Sequence, residues 1–272
     1  MSKPYVVGID IGGTNTVFGI VDARGNVLAS GSIKTQKYAA IGDYVNDLYN
    51  ELTRLLEQEN VADQIAGIGV GAPNANYFTG NIEAAANLPW KGVIPFAQML
   101  RDKFGIPVSI TNDANAAAIG EMTYGAARGI KDFIMITLGT GVGSGIVING
   151  QLVYGHDGNA GELGHVIVRR NNGRLCGCGR TGCLEAYASA TGVARTAREF
   201  LELRNDSSVS GKSRFRILRP KTCMTPLRPE INWLRKFLNI PVLFWERLLP
   251  ILWHFPVLKR LYYSEGYQSR AN

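Results

Sequence analysis

The sequence has few cysteines and lacks any long uncharged apolar run. Four of its 272 residues are cysteine, and three of these lie between positions 176 and 183. This distribution excludes the disulfide framework of a small secreted protein. A bilayer-spanning helix needs about 18 consecutive apolar residues, and the sequence contains no such run. The first residues also lack the apolar stretch of a signal peptide, so we expect a cytoplasmic location and no membrane partner.

Acidic residues and glycine are scarce in the last quarter of the chain. Residues 1–211 hold 17 Lys and Arg against 19 Asp and Glu, whereas residues 212–272 hold 12 against 3. That last segment contains three of the four tryptophans and just one of the 32 glycines, Gly266. The net charge of +7 therefore comes from the tail, and we expect no nucleic-acid partner for the remainder.

An apolar strand, a glycine turn and a hairpin open the chain, and the pattern recurs about 127 residues later. The two copies occupy residues 5–34 and 132–155. Between them, apolar periodicity predicts further elements: a helix over 41–58, a buried strand over 65–73, a helix over 95–105, and a strand leading into an alanine-rich helix over 107–125. The repeat predicts two similar α/β lobes whose glycine turns point into a shared cleft.

The two glycine turns are candidate phosphate-binding segments. They read DIGGTN over residues 10–15 and LGTGVGSG over 138–145. Glycines after a buried strand let backbone N–H groups approach a phosphate, and Asp10 can hold Mg²⁺. Thr14 and Asn15 can add donors. Either turn alone also fits an ordinary hairpin, but two turns in register favour a phosphate clamp.

Asn112 and Asp113 lie where a predicted strand meets a predicted helix. Both residue types are common helix N-caps, and this segment alone favours that interpretation. The functional alternative is a general base that accepts a proton from a substrate hydroxyl.

A histidine and three cysteines have the composition of a zinc site. His165 is followed by Cys176, Cys178 and Cys183 in a glycine-rich segment. One imidazole and three thiolates complete a tetrahedral zinc shell, which leaves no open position and predicts a structural ion. A redox pair is disfavoured because the Cys-x-x-Cys spacing is absent.

These segments together resemble the ROK family of bacterial sugar kinases and sugar-responsive repressors, within the actin/hexokinase-like superfamily. The resemblance runs from about residue 4 to about residue 205 and rests on the stretches DIGGTN, ITNDANAAAIGE, LGTGVGSGIVINGQLVYG, GNAGELGH and CGCGRTGCLE. It implies a two-lobe, ribonuclease H-like α/β fold. We expect an N-terminal lobe over 1–115, a partial C-terminal lobe with the zinc-binding loop over 116–205, and an atypical basic aromatic tail over 206–272.

The resemblance also implies a role for each matching residue. Asp113 matches the catalytic base. The implied sugar-binding residues are Gly71, Asn87, Asn112, Asp113, Glu162, His165 and Glu185. The implied residues for the phosphates of ATP and its Mg²⁺ are Asp10, Gly12, Gly13, Thr14, Asn15, Thr137, Gly139, Thr140 and Gly141. The implied zinc ligands are His165, Cys176, Cys178 and Cys183.

The activity implied is ATP-dependent phosphorylation of a hexose, with glucose as the first candidate and an N-acetylhexosamine or fructose as alternatives. A homodimer is expected. The competing functions are a sugar-responsive regulator and a non-catalytic sugar-binding protein. Regulators of the family carry a winged helix upstream, and DIGG begins here at position 10, so we prefer the kinase.

The tail departs from the family pattern after about residue 205. The family normally continues with a second Gly-Gly motif at the adenosine end of the site, and nothing from 212 onward resembles it. We favour an out-of-frame or fused segment, which predicts an incomplete second lobe and impaired activity. The alternative is a genuine amphipathic element that lies on a membrane or a partner.

Overall fold

The computed structural model of the protein describes residues 3–203 and 261–264. The chain divides into two compact units. The first comprises residues up to Lys131 together with Gly145–Gly161, and the second comprises Asp132–Ser144 together with the chain from Glu162 onward. The lobe boundaries expected at residues 115 and 205 stay predictions. The tail expected over 206–272 lies outside the described residues apart from 261–264.

The first unit is built on a five-stranded mixed sheet. Its strands and helices in chain order are β1 (Tyr5–Ile11), β2 (Asn15–Asp22), β3 (Val27–Lys34), α1 (Ile41–Gln58), β4 (Ile65–Ala72), β5 (Ile82–Glu83), β6 (Val93–Ile94), α2 (Phe96–Phe104), β7 (Val108–Asn112) and α3 (Asp113–Thr123). The sheet order is β3-β2-β1-β4-β7, with β5 and β6 paired separately. The first three strands are antiparallel, whereas β1, β4 and β7 are parallel.

Apolar periodicity explains why these residues form these elements. On β1, Val7, Ile9 and Ile11 are buried, so the residues between them face the opposite side of the sheet. On α1, Leu48 and Leu52 are fully buried on the predicted apolar face, and burying each contributes about 2 kcal/mol. α2 ends at its predicted glycine, Gly105, which adopts a φ of 65° that an L side chain disfavours.

The described residues of the second unit form fewer regular elements. They are β8 (Phe133–Leu138), the start of β9 (Val142–Ile148), α4 (Glu185–Ala188), α5 (Ala190–Leu203) and β11 (Leu261–Ser264). The end of β9 belongs to the first unit, where it pairs with β10 (Gln151–Leu152). The sheet order is β10-β9-β8-β11, and β11 runs parallel to β8. The sequence analysis did not predict α4 or α5.

The predicted α/β fold class is confirmed. The predicted helix over 41–58 and the predicted strands of the first copy of the repeat coincide with α1 and with β1, β2 and β3. In the second copy, β10 has only two residues. Among the described residues, none of the helices combines the length and the apolar content needed to cross a bilayer.

Candidate functional site

The first glycine turn connects β1 to β2 in the first unit. The N–H of Gly12 donates to the carbonyl oxygen of Asn15 at 2.9 Å and closes the turn. A Cβ atom at Gly13 would lie 2.9 Å from the carbonyl oxygen of Asn87. Glycine is required at this position because the backbone of Asn87 lies against the turn. The structure therefore brings Asn87, a predicted sugar contact, next to the predicted phosphate-binding turn.

Lys34 is a functional candidate that the sequence analysis missed. Its Nζ donates to Oδ1 of Asn15 at 2.8 Å, and the two residues lie opposite each other on β2 and β3. The carbonyl of Thr14 accepts a hydrogen bond from the N–H of Thr35 at 3.0 Å, which fixes the same end of the hairpin. The ammonium group of Lys34 therefore lies beside the turn that is predicted to bind phosphate.

Asp10 and Asp113 flank Gly71. Asp10 lies opposite Gly71 in the register of β1 and β4. A Cβ atom at Gly71 would lie 3.7 Å from Cα of Asp113, 4.0 Å from Oδ1 of Asp10 and 3.2 Å from Cβ of Ala116. Glycine therefore lets the first turn of α3 approach the strand closely. Partial burial, followed by the charge of Asp113, raises the pKa of Asp10 above its ordinary value.

Asn112 caps α3, as the segment alone predicted. Its Oδ1 accepts a hydrogen bond from the N–H of Ala114 at 2.9 Å. Asp113 is the first residue of α3, and its Oδ1 accepts from the same N–H at 2.8 Å. The Asp113 carboxylate is thus oriented at the helix N-terminus, directly after a parallel strand of the sheet. Its role as a general base stays a prediction.

The four predicted zinc ligands converge in the second unit. The ligand atoms of His165, Cys176, Cys178 and Cys183 all lie within 4.8 Å of one another. Sγ of Cys178 is 3.7 Å from Sγ of Cys183, and Sγ of Cys176 is 3.6 Å from Nδ1 of His165. With Zn–S near 2.3 Å and Zn–N near 2.0 Å, the edges of a tetrahedron measure about 3.5–3.8 Å. The donor set and its spacing therefore fit a zinc ion.

Crowding makes it costly for the three thiols to ionise together without a cation. Burial raises the pKa of Cys176 to about 12, and burial together with the neighbouring Cys178 thiol also raises the pKa of Cys183. Burial acts in the same direction on Cys178, but hydrogen bonds with Arg180 and the other thiols outweigh it and lower the pKa of Cys178 to about 6. A divalent cation would stabilise all three thiolates at neutral pH.

His165 connects the thiols to an open cleft. Its Nδ1 faces Cys176, whereas its Nε2 lies 3.9 Å from Oε2 of Glu162. Both residues line a cleft of about 700 Å³, whose other lining residues are Val166, Ile167, Arg170, Arg180 and Thr181. Two of the three sugar ligands predicted in this unit therefore share one cleft.

Glu185, the third of these, lies against the second glycine turn. Its Oε2 accepts a hydrogen bond from the N–H of Val142 at 3.0 Å, and its Oε1 lies 3.6 Å from Sγ of Cys176. A Cβ atom at Gly141 would lie 2.5 Å from the same Oε2.

Thr137, a predicted phosphate-binding residue, lies one residue before the end of β8, opposite Ser264 of β11.

Arg174 is a second residue that the sequence analysis missed. Its Nη1 donates to the carbonyls of Ala186 and Gly192 at 3.0 and 3.2 Å, and its Nη2 donates to Glu199 at 2.5 Å. Its guanidinium also lies 4.7 Å from the ring centroid of Tyr187. These contacts attach the loop that carries the thiol cluster to α4 and α5. Sequence motifs do not reveal these contacts, because they depend on how the helices pack.

Comparison with known proteins identifies the family. The sequence model of the ROK family matches residues 6–220. The chain belongs to the ROK family. Residues 221–272 lie beyond that match.

Curated relatives of this ROK chain include kinases and regulators. A glucokinase from Halalkalibacterium halodurans is 40% identical over 214 residues, covering 77% of this chain and 64% of the relative. A glucokinase from Streptomyces coelicolor is 37% identical over 194 residues, covering 71% and 59%. A xylose repressor from Caldicellulosiruptor bescii is 32% identical over 207 residues, covering 72% and 49%. The chain thus spans less than two thirds of the length of each of these relatives.

Solved ROK structures share the fold. A ROK family glucokinase from Streptomyces griseus, in complex with glucose and AMPPNP, has a TM-score of 0.70 at 30% identity and covers 91% of this chain and 78% of that chain. A ROK hexokinase from Thermus thermophilus has a TM-score of 0.78 at 27% identity and covers 96% and 82%. The predicted hexokinase-like fold is therefore confirmed.

Proposed function

We propose that this chain phosphorylates a hexose with ATP, with glucose as the first candidate substrate. The observation that carries the proposal is the pair of carboxylates, Asp10 and Asp113, that flank Gly71. Phosphoryl transfer to a sugar needs one group to accept the hydroxyl proton and another near the metal–phosphate complex. The similarity to glucokinases supports this assignment over other uses of the fold.

Asp113 is the proposed general base. A carboxylate that accepts the proton of the attacking hydroxyl must be oriented before the substrate arrives. The hydrogen bond from the N–H of Ala114 to Oδ1 of Asp113 supplies that orientation. Asn112 caps the same helix and is proposed to contact the sugar beside Asp113. Gly71 and Asn87 are proposed as further sugar contacts.

The two glycine turns and Lys34 are proposed to bind the ATP phosphates. Backbone N–H groups and a lysine ammonium stabilise the negative charge that develops on the transferred phosphoryl group. Asp10 is the proposed Mg²⁺ ligand, direct or through water. Mg²⁺, when bound with ATP, would neutralise phosphate charge. The raised pKa of Asp10 fits this role, because burial and the charge of Asp113 disfavour its ionised form and a bound divalent cation would offset both.

Glu162, His165 and Glu185 are proposed to bind the sugar hydroxyls in the second unit. A carboxylate accepts from two hydroxyls, which suits a neutral sugar. We propose that a structural zinc held by His165 and the three cysteines keeps these groups in place. Nδ1 of His165 would then be the metal-binding nitrogen, which leaves Nε2 directed toward Glu162 and the cleft.

A sugar-responsive regulator is the second candidate function. The relatives include xylose repressors at about 30% identity, so the fold alone does not separate the two activities. The candidate base Asp113 favours the kinase, since binding alone needs no base.

We also propose that turnover is impaired, because residues 221–272 lie beyond the family match. A homodimer, a cytoplasmic location and the absence of a nucleic-acid partner stay predictions.

A sugar-panel phosphorylation assay tests the proposal. The purified full chain is incubated with Mg²⁺, ATP and one sugar at a time: glucose, mannose, fructose, N-acetylglucosamine or N-acetylmannosamine. ADP formation is followed, and the phosphorylated sugar is identified by mass spectrometry. We expect glucose to give the highest kcat/KM. The result that would overturn the kinase is specific sugar binding, measured by calorimetry, without sugar phosphate from any member of the panel.

A further inference from the structure

The first part of the second glycine turn, residues 138–142, is attached to the start of α5. The N–H of Ala190 donates to the carbonyl of Gly139 at 2.9 Å. The hydroxyl of Thr191 donates to the carbonyl of Thr140 at 3.3 Å. Within the turn, the N–H of Gly139 donates to the carbonyl of Gly141 at 3.0 Å. Because each peptide unit is planar, these three bonds orient the peptide units that follow Gly139, Thr140 and Gly141.

The carboxylate of Glu185 holds the peptide between Gly141 and Val142 from its N–H side. Its Oε2 accepts from the N–H of Val142 at 3.0 Å, a charge-assisted bond of the stronger class. The close approach depends on the residue before Val142, because a Cβ atom at Gly141 would lie 2.5 Å from the same oxygen. The other oxygen lies 3.6 Å from Sγ of Cys176. One carboxylate therefore touches both the turn and the thiol cluster.

We propose that Glu185 is a positioning residue for the second glycine turn, beyond its proposed contact with the sugar. The inference rests on the proposed function, because it takes this turn to bind the phosphates of ATP. A phosphate-binding turn works best when its backbone is fixed before the ligand arrives. Glu185 fixes the backbone at Gly141 and Val142, and so links the thiol cluster to phosphate binding.

Three variants separate positioning from sugar contact. Glu185→Ala removes the acceptor, whereas Glu185→Gln keeps an amide oxygen that can accept from Val142. Gly141→Ala displaces the carboxylate from the turn without changing Glu185. Glu162→Ala is the matched control, since it removes a different carboxylate that is also proposed to bind the sugar.

The first measurement is amide hydrogen exchange of the full chain, without sugar or nucleotide. We expect peptides over 138–144 to exchange about tenfold faster in Glu185→Ala and Gly141→Ala. Glu185→Gln and Glu162→Ala should stay within about threefold of the parent. The second measurement is calorimetric binding of AMPPNP with Mg²⁺ in the absence of sugar. Glu185→Ala and Gly141→Ala should bind AMPPNP about tenfold more weakly than the parent, whereas Glu185→Gln and Glu162→Ala should bind it as the parent does.

The outcomes distinguish the inference from the proposed function. Unchanged exchange over 138–144 in Glu185→Ala overturns the positioning role, whatever the chain catalyses. Faster exchange with parent-like AMPPNP affinity also overturns it. If the parent binds no AMPPNP and phosphorylates no sugar, while exchange responds as expected, the proposed function fails and the structural link from Glu185 to the turn stands.

Discussion

The guanidinium of Arg174 lies 2.5 Å from the carboxylate of Glu199, the carboxylate that Arg195 also contacts at 3.0 Å. The two arginines differ in burial, since the Arg174 side chain is 10% exposed and the Arg195 side chain 52%. Removing a buried arginine leaves its hydrogen-bond acceptors without a donor, whereas removing an exposed arginine costs little. This pairing of the loop that carries the thiol cluster with α5 therefore gives a matched test of what holds the second unit together.

Replacing Arg174 by Gln should destabilise the protein by about 1–2 kcal/mol, because the partly buried carbonyls of Ala186 and Gly192 and the carboxylate of Glu199 lose their donor. Arg195→Ala should cost less than about 0.5 kcal/mol. Urea unfolding measures both. Burial raises the pKa of Glu199, but the ion pairs with Arg174 and, after it, Arg195 outweigh burial and lower the pKa overall. This contribution is present above the unfolded-state pKa of about 4.3 and is lost at lower pH. The difference between parent and Arg174→Gln should therefore shrink on acidification, and a constant difference would contradict the account.

Gly71→Ala should impair activity more than stability. The new methyl group would crowd Cβ of Ala116 and push the first turn of α3, with Asp113, away from the strand. We expect a loss of about 1–2 kcal/mol in the free energy of unfolding and at least about a tenfold loss in kcat. Gly69→Ala on the same strand is the control, since its Cβ would meet no heavy atom within 4 Å. Equal losses in both variants would argue against the packing explanation.

Asp10→Asn should stabilise the protein at neutral pH while it removes Mg²⁺-dependent activity. The folded-state pKa of Asp10 is raised by partial burial and by Asp113, so the folded state binds a proton more tightly than the unfolded state. The parent should therefore lose stability as pH rises through this raised pKa, and the variant should not. Thermal unfolding at pH 4 and pH 7 measures the difference.

Asp22→Asn provides a control of opposite sign. Hydrogen bonds from the side chain and backbone of Asn26 lower the pKa of Asp22, so its contribution is present at neutral pH and lost as pH falls. This variant should be less stable than the parent at pH 7. If Asp10→Asn is also less stable than the parent at pH 7, the folded state stabilises the ionised Asp10 carboxylate, which contradicts the prediction.

Zinc should copurify with the chain at about one ion per molecule and should depend on the clustered cysteines. Cys183→Ser removes a ligand and should lower the zinc content, measured by plasma mass spectrometry, to less than about a tenth. It should also lower the melting temperature. Cys223→Ser changes the remaining cysteine, which lies outside the described residues, and should keep the zinc. Full zinc content in Cys183→Ser would rule out the assigned ligand set.

Sequence alone predicted the parts of the structure that depend on local pattern. The bounds of α1 follow from its apolar stripe, and the cluster of His165 with the three cysteines was expected from residue type and spacing. The cap at Asn112 follows from known helix preferences.

The missed features depend on packing and register. Lys34 reaches Asn15 only because the pairing of β2 with β3 shifts register near Ile20, and sequence does not reveal such a shift. α4 is a single turn of four residues, too short for a periodic pattern. The contacts of Arg174 and Glu185 with their neighbours were therefore beyond prediction from motifs.

The most direct test of the central claim compares kcat for glucose phosphorylation in Asp113→Asn and in the parent. Asp43→Asn, in the first turn of α1, is the matched control. The account predicts that Asp113→Asn lowers kcat by a factor of about 10²–10⁴ with glucose binding within about threefold of the parent, whereas Asp43→Asn leaves kcat unchanged. A kcat for Asp113→Asn within about threefold of the parent would contradict the claim that Asp113 is the general base.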